Sequence, residues 1–535
     1  MKPLKLLDEA SASVLGFEWL VKAVAPRSPY GERTFSELRP FGAGEERAAQ
    51  LRAERIAAVA ARFDCDRLDT VRGILEDVPD AAGAIARASI DDVLDDPDLL
   101  ELSRFGESIE QIDSLLDDPL LLAPIANESV RIVGAALRVG RRNGAGFYLA
   151  DAFGVELRTL RERLAQAQAE LDAARGREIE HAAQSLGRDE LPGNEFIVMR
   201  ADLRGAALPE GVRVLREAPT YLLCALDYGE VSLAALGRRD AAADEVALAE
   251  ERARADLSSL VRENATGLES AANALGELDV TLAAARFVQR YQCTPAVMGS
   301  EPQLSFEGGR FLPLAIELAE AGRSFTSLDL NLHDTPVLTG PNMGGKSVCL
   351  QTCGFIAVCA AFGLPVPAAN ARTGLFDDIA WLGIGRDDRI GGLLSSFARE
   401  VVRLKEILER AGPRLLILID EFARTTSPQE GRALLVALLG RLRDRHACGM
   451  LATHLGGVAK AAGARHFAIR GLRGIPRRPA APELEEALAA LAASMDYTIA
   501  EVSGDDASSA DAIALTALLG LDDEFVEAAY RALSQ

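Results

Sequence analysis

The stretch Pro336-Val337-Leu338-Thr339-Gly340-Pro341-Asn342-Met343-Gly344-Gly345-Lys346-Ser347 decides how this chain is read. Its first four residues predict a short buried strand, and the apolar residues after Ser347 predict a helix. Between them, 340–347 fits G-x-x-x-x-G-K-[ST] in the strand–loop–helix setting that gives the motif its meaning. Glycines let backbone N–H groups turn toward phosphate oxygens, and the helix N-terminus adds its positive dipole end. Lys346 is then placed to reach terminal phosphates, and Ser347 to ligate Mg²⁺. The pattern predicts an α/β domain that cradles a nucleoside triphosphate.

Two downstream runs support this. Leu415-Leu416-Ile417-Leu418-Ile419 is an apolar strand that ends in Asp420-Glu421. The first carboxylate can hold Mg²⁺ through water, and the second can orient or deprotonate an attacking water. A third strand, 449–453, ends at His454, one of five histidines in the chain. An imidazole at that strand end can contact the γ-phosphate or the water.

Upstream the pattern changes. Residues 1–127 are rich in Ala, Leu and Asp, with helical periodicity broken at Pro79, Pro97 and Pro119. From about 151 to 187, and again from about 240 to 292, proline-free charged stretches predict long helices. Between them, 194–228 holds β-rich runs that predict two or more strands. Short strands alternate with helices from about 302 onward.

The chain has 535 residues and a net charge of −22, with 58 Lys+Arg against 80 Asp+Glu. At 49% hydrophobic and 26% charged it is an ordinary folded composition, not a disordered or fibrous one. Such acidity gives no global field for nucleic acid. Seven cysteines without a CxxC pair read as reduced thiols of a cytoplasmic protein without zinc, and Asp8 and Glu9 sit where a signal peptide needs apolar residues. The uncharged stretch 347–371 has the length of a membrane span. Its Gln351, Thr352, Gly354, Gly363, Pro365 and Pro367, directly after the glycine-rich loop, fit a buried helix instead. Cys349, Cys353 and Cys359 on that helix read as buried thiols. The one marked basic cluster is Arg465, Arg470, Arg473, Arg477 and Arg478.

Several of these residues together resemble one family. TGPNMGGKS (339–347), Ser396-Phe397 with Glu400, DEFARTTSPQEG (420–431) and Ala452-Thr453-His454 look like the ATPase domain of the MutS family, within the ABC superfamily. The likeness extends to 325–332 and, downstream, to 511–514 and 518–521. It implies a C-terminal α/β P-loop domain preceded by a mainly helical lever with a coiled-coil and β clamp arm. The expected divisions are an N-terminal helical region 1–127, lever and clamp 128–300 (arm about 151–230), ATPase domain 301–480 and a helical dimerisation tail 481–535.

The resemblance also implies roles. Phe325 would stack on adenine, and Ser395 and Ser396 would be signature residues offered to the ATP of a partner copy, making a homodimer or heterodimer. Gly340, Pro341, Asn342, Met343, Gly344, Gly345, Lys346 and Ser347 would bind the nucleotide, Ser347 and Asp420 the Mg²⁺, while Lys346, Glu421 and His454 would serve hydrolysis. Asp387-Asp388 matches a family pair. There are departures too. The family continues Asp-Glu as Ile/Leu-Gly-Arg-Gly-Thr, whereas Phe422-Ala423-Arg424-Thr425-Thr426 lacks both glycines, and 391–397 departs from SxGxSTF. Phe-x-Glu, the form of the mismatch-reading wedge, occurs at Phe35, Phe105 and Phe525, as chance allows, and the space before the lever is too short for both domains that normally precede it.

The expected function is an ATPase whose cycle opens and closes the clamp on a client. Chains of this length with a DEFART-type continuation resemble the ATPase subunit of reactivases for cobalamin-dependent lysine aminomutases, so a protein client is the preferred expectation. DNA is the alternative client, and a non-hydrolysing structural subunit a further alternative. No membrane partner is expected.

Overall fold

A computed structural model of the chain describes residues 1–2, 5–119, 121–142, 146–203, 205–341, 344–383, 396–472, 494–502, 513, 516 and 522–533. The chain forms two compact units: residues 78–114 with 124–272, and residues 1–77, 115–123 and 273–535.

The first charged, proline-free stretch forms the helix Leu157–Ser185, while the second, read as about 240–292, is divided at Asn264 into the helices Glu230–Glu263 and Ala265–Tyr291. Arg161 pairs with Glu250 at 2.8 Å, Arg238 with Glu170 at 3.3 Å, and Ser232 Oγ donates to Glu178 at 2.8 Å. Residue numbers rise on one helix as they fall on the other, so the pair is antiparallel. The chain between them forms β1 (Glu195–Met199), β2 (Val212–Glu217) and β3 (Tyr221–Leu226), an antiparallel sheet in the order β1-β3-β2. Alternation along β1 and β3 turns Phe196, Val198, Leu222, Cys224 and Leu226 onto Ala182 and Ala183. The other face leaves Ile197, Met199 and Leu215 between 40% and 48% exposed. Arg175 ties helix to sheet, donating to Asn194 Oδ1 (2.8 Å) and the carbonyls of Leu226 (3.0 Å) and Asp227 (2.8 Å).

The second unit holds two sheets. Their strands are β4 (Val297–Met298), β5 (Leu304–Gly309), β6 (Leu328–Leu332), β7 (Val337–Thr339), β8 (Asn370–Thr373), β9 (Asp378–Leu382), β10 (Leu415–Asp420), β11 (Cys448–Ala452), β12 (His466–Leu472) and β13 (Met495–Glu501). The smaller sheet has the order β4-β8-β5-β6 and the larger β9-β10-β11-β7-β12-β13. In the larger sheet β9, β10, β11, β7 and β12 are parallel, and β13 is antiparallel. Strands covered on both faces need continuous apolar runs, and 415–419 and 448–452 are buried throughout. The helix Lys346–Ala361 is largely buried as well. At Gly354 a Cβ would stand 2.5 Å from the Leu15 side chain and 2.9 Å from that of Leu418, so glycine permits this packing. Among the described residues no helix is long and apolar enough to cross a membrane.

The structure parts from the sequence reading in several places. Residues 273–300, read with the lever and clamp, fall in the unit of the α/β sheets. Residues 1–77 share a compact unit with the α/β sheets instead of standing with 78–127, because Leu15, Leu20 and Val24 are fully buried there. Residues 495–501, read as part of a helical tail, form the edge strand β13. The N-terminus is tied in by polar contacts. Ile379 N donates to Leu6 O at 2.8 Å and Trp381 N to Ser11 Oγ at 2.9 Å. Asp8 caps the helix Glu9–Val14, accepting from Ser11 N at 2.9 Å, and pairs with Arg403 and Arg410 on the helix Ser396–Arg410.

Burial works to raise the Asp8 carboxyl, but the hydrogen bonds from Arg403, Ser11 N–H and Arg410 outweigh it and hold the group below its ordinary range. A depressed carboxyl stabilises the fold above its unfolded pKa and loses that contribution as pH falls through its folded value. Asp8→Asn should therefore cost about 1–2 kcal/mol at pH 7 in chemical denaturation. The gap from the unaltered protein should narrow toward about pH 3. A gap that did not change with pH would show that the carboxylate charge has no part in it.

Candidate functional site

Register sets the site. Asp420 stands level with Ala452, and Ala452 with Leu338, so three neighbouring parallel strands end in one row. The described residues that follow them, 340–341 with 344–347, 421–427 and 453–457, leave the sheet at the same strand ends. Polar side chains can sit there because the strands themselves are fully covered.

Gly340 (φ +154°) opens the phosphate loop, where a Cβ would stand 3.0 Å from that of Ile469, and Gly345 (φ +87°) caps the helix in the left-handed region. The Lys346 side chain, 5% exposed, donates from Nζ to Gly340 O at 3.0 Å and Pro341 O at 3.1 Å. The same ammonium lies 3.5 Å from Glu421 Oε1. Ser347 Oγ donates to Asp420 Oδ2 at 2.7 Å. Burial raises the Asp420 carboxyl above its ordinary range, opposed by the Ser347 hydrogen bond; the charge of Glu421 raises it further, while Lys346 and Arg424 counter it. A hydroxyl and a carboxylate converging at a strand end are hard oxygen donors of the kind Mg²⁺ takes.

The turn after β10 departs from ordinary backbone. Glu421 (φ +54°) and Ala423 (φ +63°) are both left-handed, at a cost of about 1 kcal/mol each for residues with a Cβ. Three contacts hold them. Glu421 N donates to Ala452 O at 3.0 Å, Ala423 N donates to Glu400 Oε2 at 2.9 Å, and the buried Phe422 ring packs 6.3 Å from that of Phe397. One of the two glycines of the family form falls at Ala423, so this chain adopts a glycine conformation without the glycine. Arg424 reaches Glu421 Oε2 at 3.5 Å. His454 is exposed just past β11.

Beside the loop lies a cleft of about 200 Å³ lined by Phe325, Leu314, Gly345, Val348, Ile469 and Tyr497. Phe325 thus stands next to the phosphate loop, although twenty residues separate it from Gly345. Tyr497 and Ile469 escaped the sequence reading. The signal for Tyr497 was present as the strand-like alternation of 495–501, masked by its place in a segment read as helical. A second cavity, about 640 Å³, is lined by Ser347 and Asp420 together with Trp19, Lys22, Gln351 and Trp381.

Other candidates do not join the site. Asn342, Met343, Asp387, Asp388 and Ser395 lie outside the described residues, as do most of 511–521, and Ser396 is the first residue of the helix Ser396–Arg410. Arg465 pairs with Asp334 and Glu501, Arg470 is exposed, and Arg473, Arg477 and Arg478 also lie outside. Phe35 is buried, which removes it as a wedge. Cys349, Cys353 and Cys359 are buried free thiols, and no metal-holding cluster of three or more His, Cys, Asp or Glu occurs among the described residues.

Residues 336–470 match the family model of MutS domain V. Over 210 residues the chain is 34% identical to "Endonuclease MutS2" of Pelotomaculum thermopropionicum, covering 38% of this chain and 26% of that protein. It is 36% identical over 212 residues to the protein of the same name from Gemmatimonas aurantiaca, covering 38% and 25%. A Clostridium botulinum protein so named is 34% identical over 213 residues, covering 38% and 26%. The chain thus spans about a quarter of the length of the curated relatives it matches. The phosphate loop, the paired carboxylates and the row of strand ends all lie inside the segment of this chain that is similar to MutS domain V.

Proposed function

We propose that this chain binds ATP with Mg²⁺ and hydrolyses it, and that it uses the cycle to close and open a clamp arm on DNA. The observation that carries the ATPase reading is the convergence of Ser347, Asp420, Lys346 and Glu421 at the ends of β7 and β10. Lys346 would exchange its two loop carbonyls for phosphate oxygens, and Ser347 and Asp420 would hold Mg²⁺ between them. Bound Mg²⁺ supplies charge neutralisation at the phosphates. Glu421 would orient the attacking water, with His454 beside the terminal phosphate. Phe325 and Tyr497 would embrace the adenine, with Gly340, Pro341, Asn342, Met343, Gly344 and Gly345 around the phosphates. Ser395 and Ser396 would face the nucleotide of a second copy in a dimer.

For the client, the relatives' name, with its reference to an endonuclease, reverses the order of preference reached from the sequence and puts DNA first. The antiparallel helices with their terminal sheet would be the clamp arm, borne on a helical lever. A protein client such as an aminomutase is the second reading. It is supported by the net charge of −22 and by the exposed apolar side chains of Ile197, Met199 and Leu215 on the arm sheet.

Lys346→Ala and Glu421→Gln should each lower steady-state ATP hydrolysis by about 100-fold or more, with Glu421→Gln still binding nucleotide. Unchanged turnover in both would sink the assignment. Tyr497→Ala should weaken binding of a fluorescent adenine nucleotide by about tenfold, as loss of one stacking partner does. Equal affinity would take Tyr497 out of the base cleft. Duplex and branched DNA should bind at about 50 mM salt with a steep negative salt slope. No binding there would favour the protein client.

A further inference from the structure

We infer that Glu400 is a positioning residue: by accepting the Ala423 N–H, it locks the turn that carries Glu421 to the helix Ser396–Arg410. The inference rests on the ATPase reading above and names a residue that reading does not use.

Two residues with side chains, Glu421 and Ala423, hold left-handed φ values within three positions. Such a turn relaxes toward right-handed or extended backbone unless its surroundings over-determine it, and where it persists the strain marks a site that needs that shape. Here the need is visible. The turn sets Glu421 Oε1 3.5 Å from Lys346 Nζ, beside the Ser347–Asp420 pair.

Two side-chain restraints on the turn come from one helix. Glu400 Oε2 accepts the Ala423 amide at 2.9 Å, and Phe397 packs on Phe422. They lie three residues apart, on one face of the first turns of the helix. On the far side, Gly431 leaves room for the Ala423 carbonyl, since a Cβ there would stand 3.3 Å from that oxygen. The helix begins at Ser396, so its start and the Glu421 turn are joined by about one helical turn. A shift at the helix start moves Glu400 and Phe397 together, and with them the conformation of Glu421. Glu400 therefore acts on hydrolysis through Glu421 and touches no reacting atom.

The test uses the full chain and two readouts. Hydrogen exchange of the segment 421–427 reports the lock itself, and steady-state ATP hydrolysis reports its consequence. Glu400→Ala should speed exchange of 421–427 by about tenfold while leaving 415–419 protected, which serves as the control for folding. It should lower kcat by about tenfold or more with KM changed less than about twofold. Glu400→Gln, whose amide oxygen can still accept the Ala423 N–H, should retain most of kcat. Glu400→Ala combined with Ala423→Gly should regain part of kcat, because glycine takes the left-handed conformation freely. Unchanged exchange in Glu400→Ala overturns the proposal, as does a loss in Glu400→Gln equal to that in Glu400→Ala, or a loss confined to KM. If the unaltered chain turned over no ATP, the ATPase reading would fail, and exchange alone would decide the lock.

Discussion

A carboxylate at the end of a fully covered strand must find partners or lose its charge, and Asp420 is placed under that constraint. It closes β10, whose five preceding residues are buried, and its nearest relief is the Ser347 hydroxyl at 2.7 Å. That bond joins the start of the helix that follows β7 to the end of β10, and β11 lies between these two strands. For the groups to meet, the three strands must end level, which the parallel register Asp420–Ala452–Leu338 provides. A one-residue slip in any of these pairings would turn the side chains to the opposite face and separate the hydroxyl from the carboxylate.

The rest of the unit maintains that register. Continuous apolar runs in β10 and β11 allow helices on both faces, and Gly354 lets the helix Lys346–Ala361 approach Leu418 and Leu15. The N-terminal segment adds backbone bonds from Ile379 and Trp381 and brackets the helix Ser396–Arg410 through Asp8. That helix in turn bears Glu400 and Phe397, which hold the turn beyond Asp420. Residues more than 390 positions apart in sequence, such as Asp8 and Arg403, therefore act on one chain of contacts leading to Glu421.

In the other unit the physics is of a different kind. Its long helices carry interleaved charges, with opposite charges meeting at Arg161–Glu250 and Arg238–Glu170, and bury small and aliphatic residues such as Leu171, Ala174, Ala235 and Val246. The exposed Arg238–Glu170 pair contributes little stability. The terminal sheet is anchored more firmly by Arg175, whose guanidinium serves three acceptors on the sheet side and lies 4.2 Å over the Tyr228 ring. Its outer face mixes the exposed Ile197, Met199 and Leu215 with Arg213 and Arg216.

The sequence by itself determined the phosphate loop, the strand ending in Asp420-Glu421, the third strand before His454 and the two long charged helices. Each of these is written locally, as a fixed spacing, an apolar run of strand length or a proline-free periodic stretch. Tertiary structure alone decided the rest. It brought Tyr497 to the cleft beside Phe325, made residues 1–77 part of the α/β unit, and gave Glu421 and Ala423 left-handed backbone with Glu400 as their support. None of these has a local signature: β13 is a short strand at a sheet edge, the N-terminal helices have ordinary amphipathic patterns, and an alanine at φ +63° is stable only because residues far along the chain hold it there.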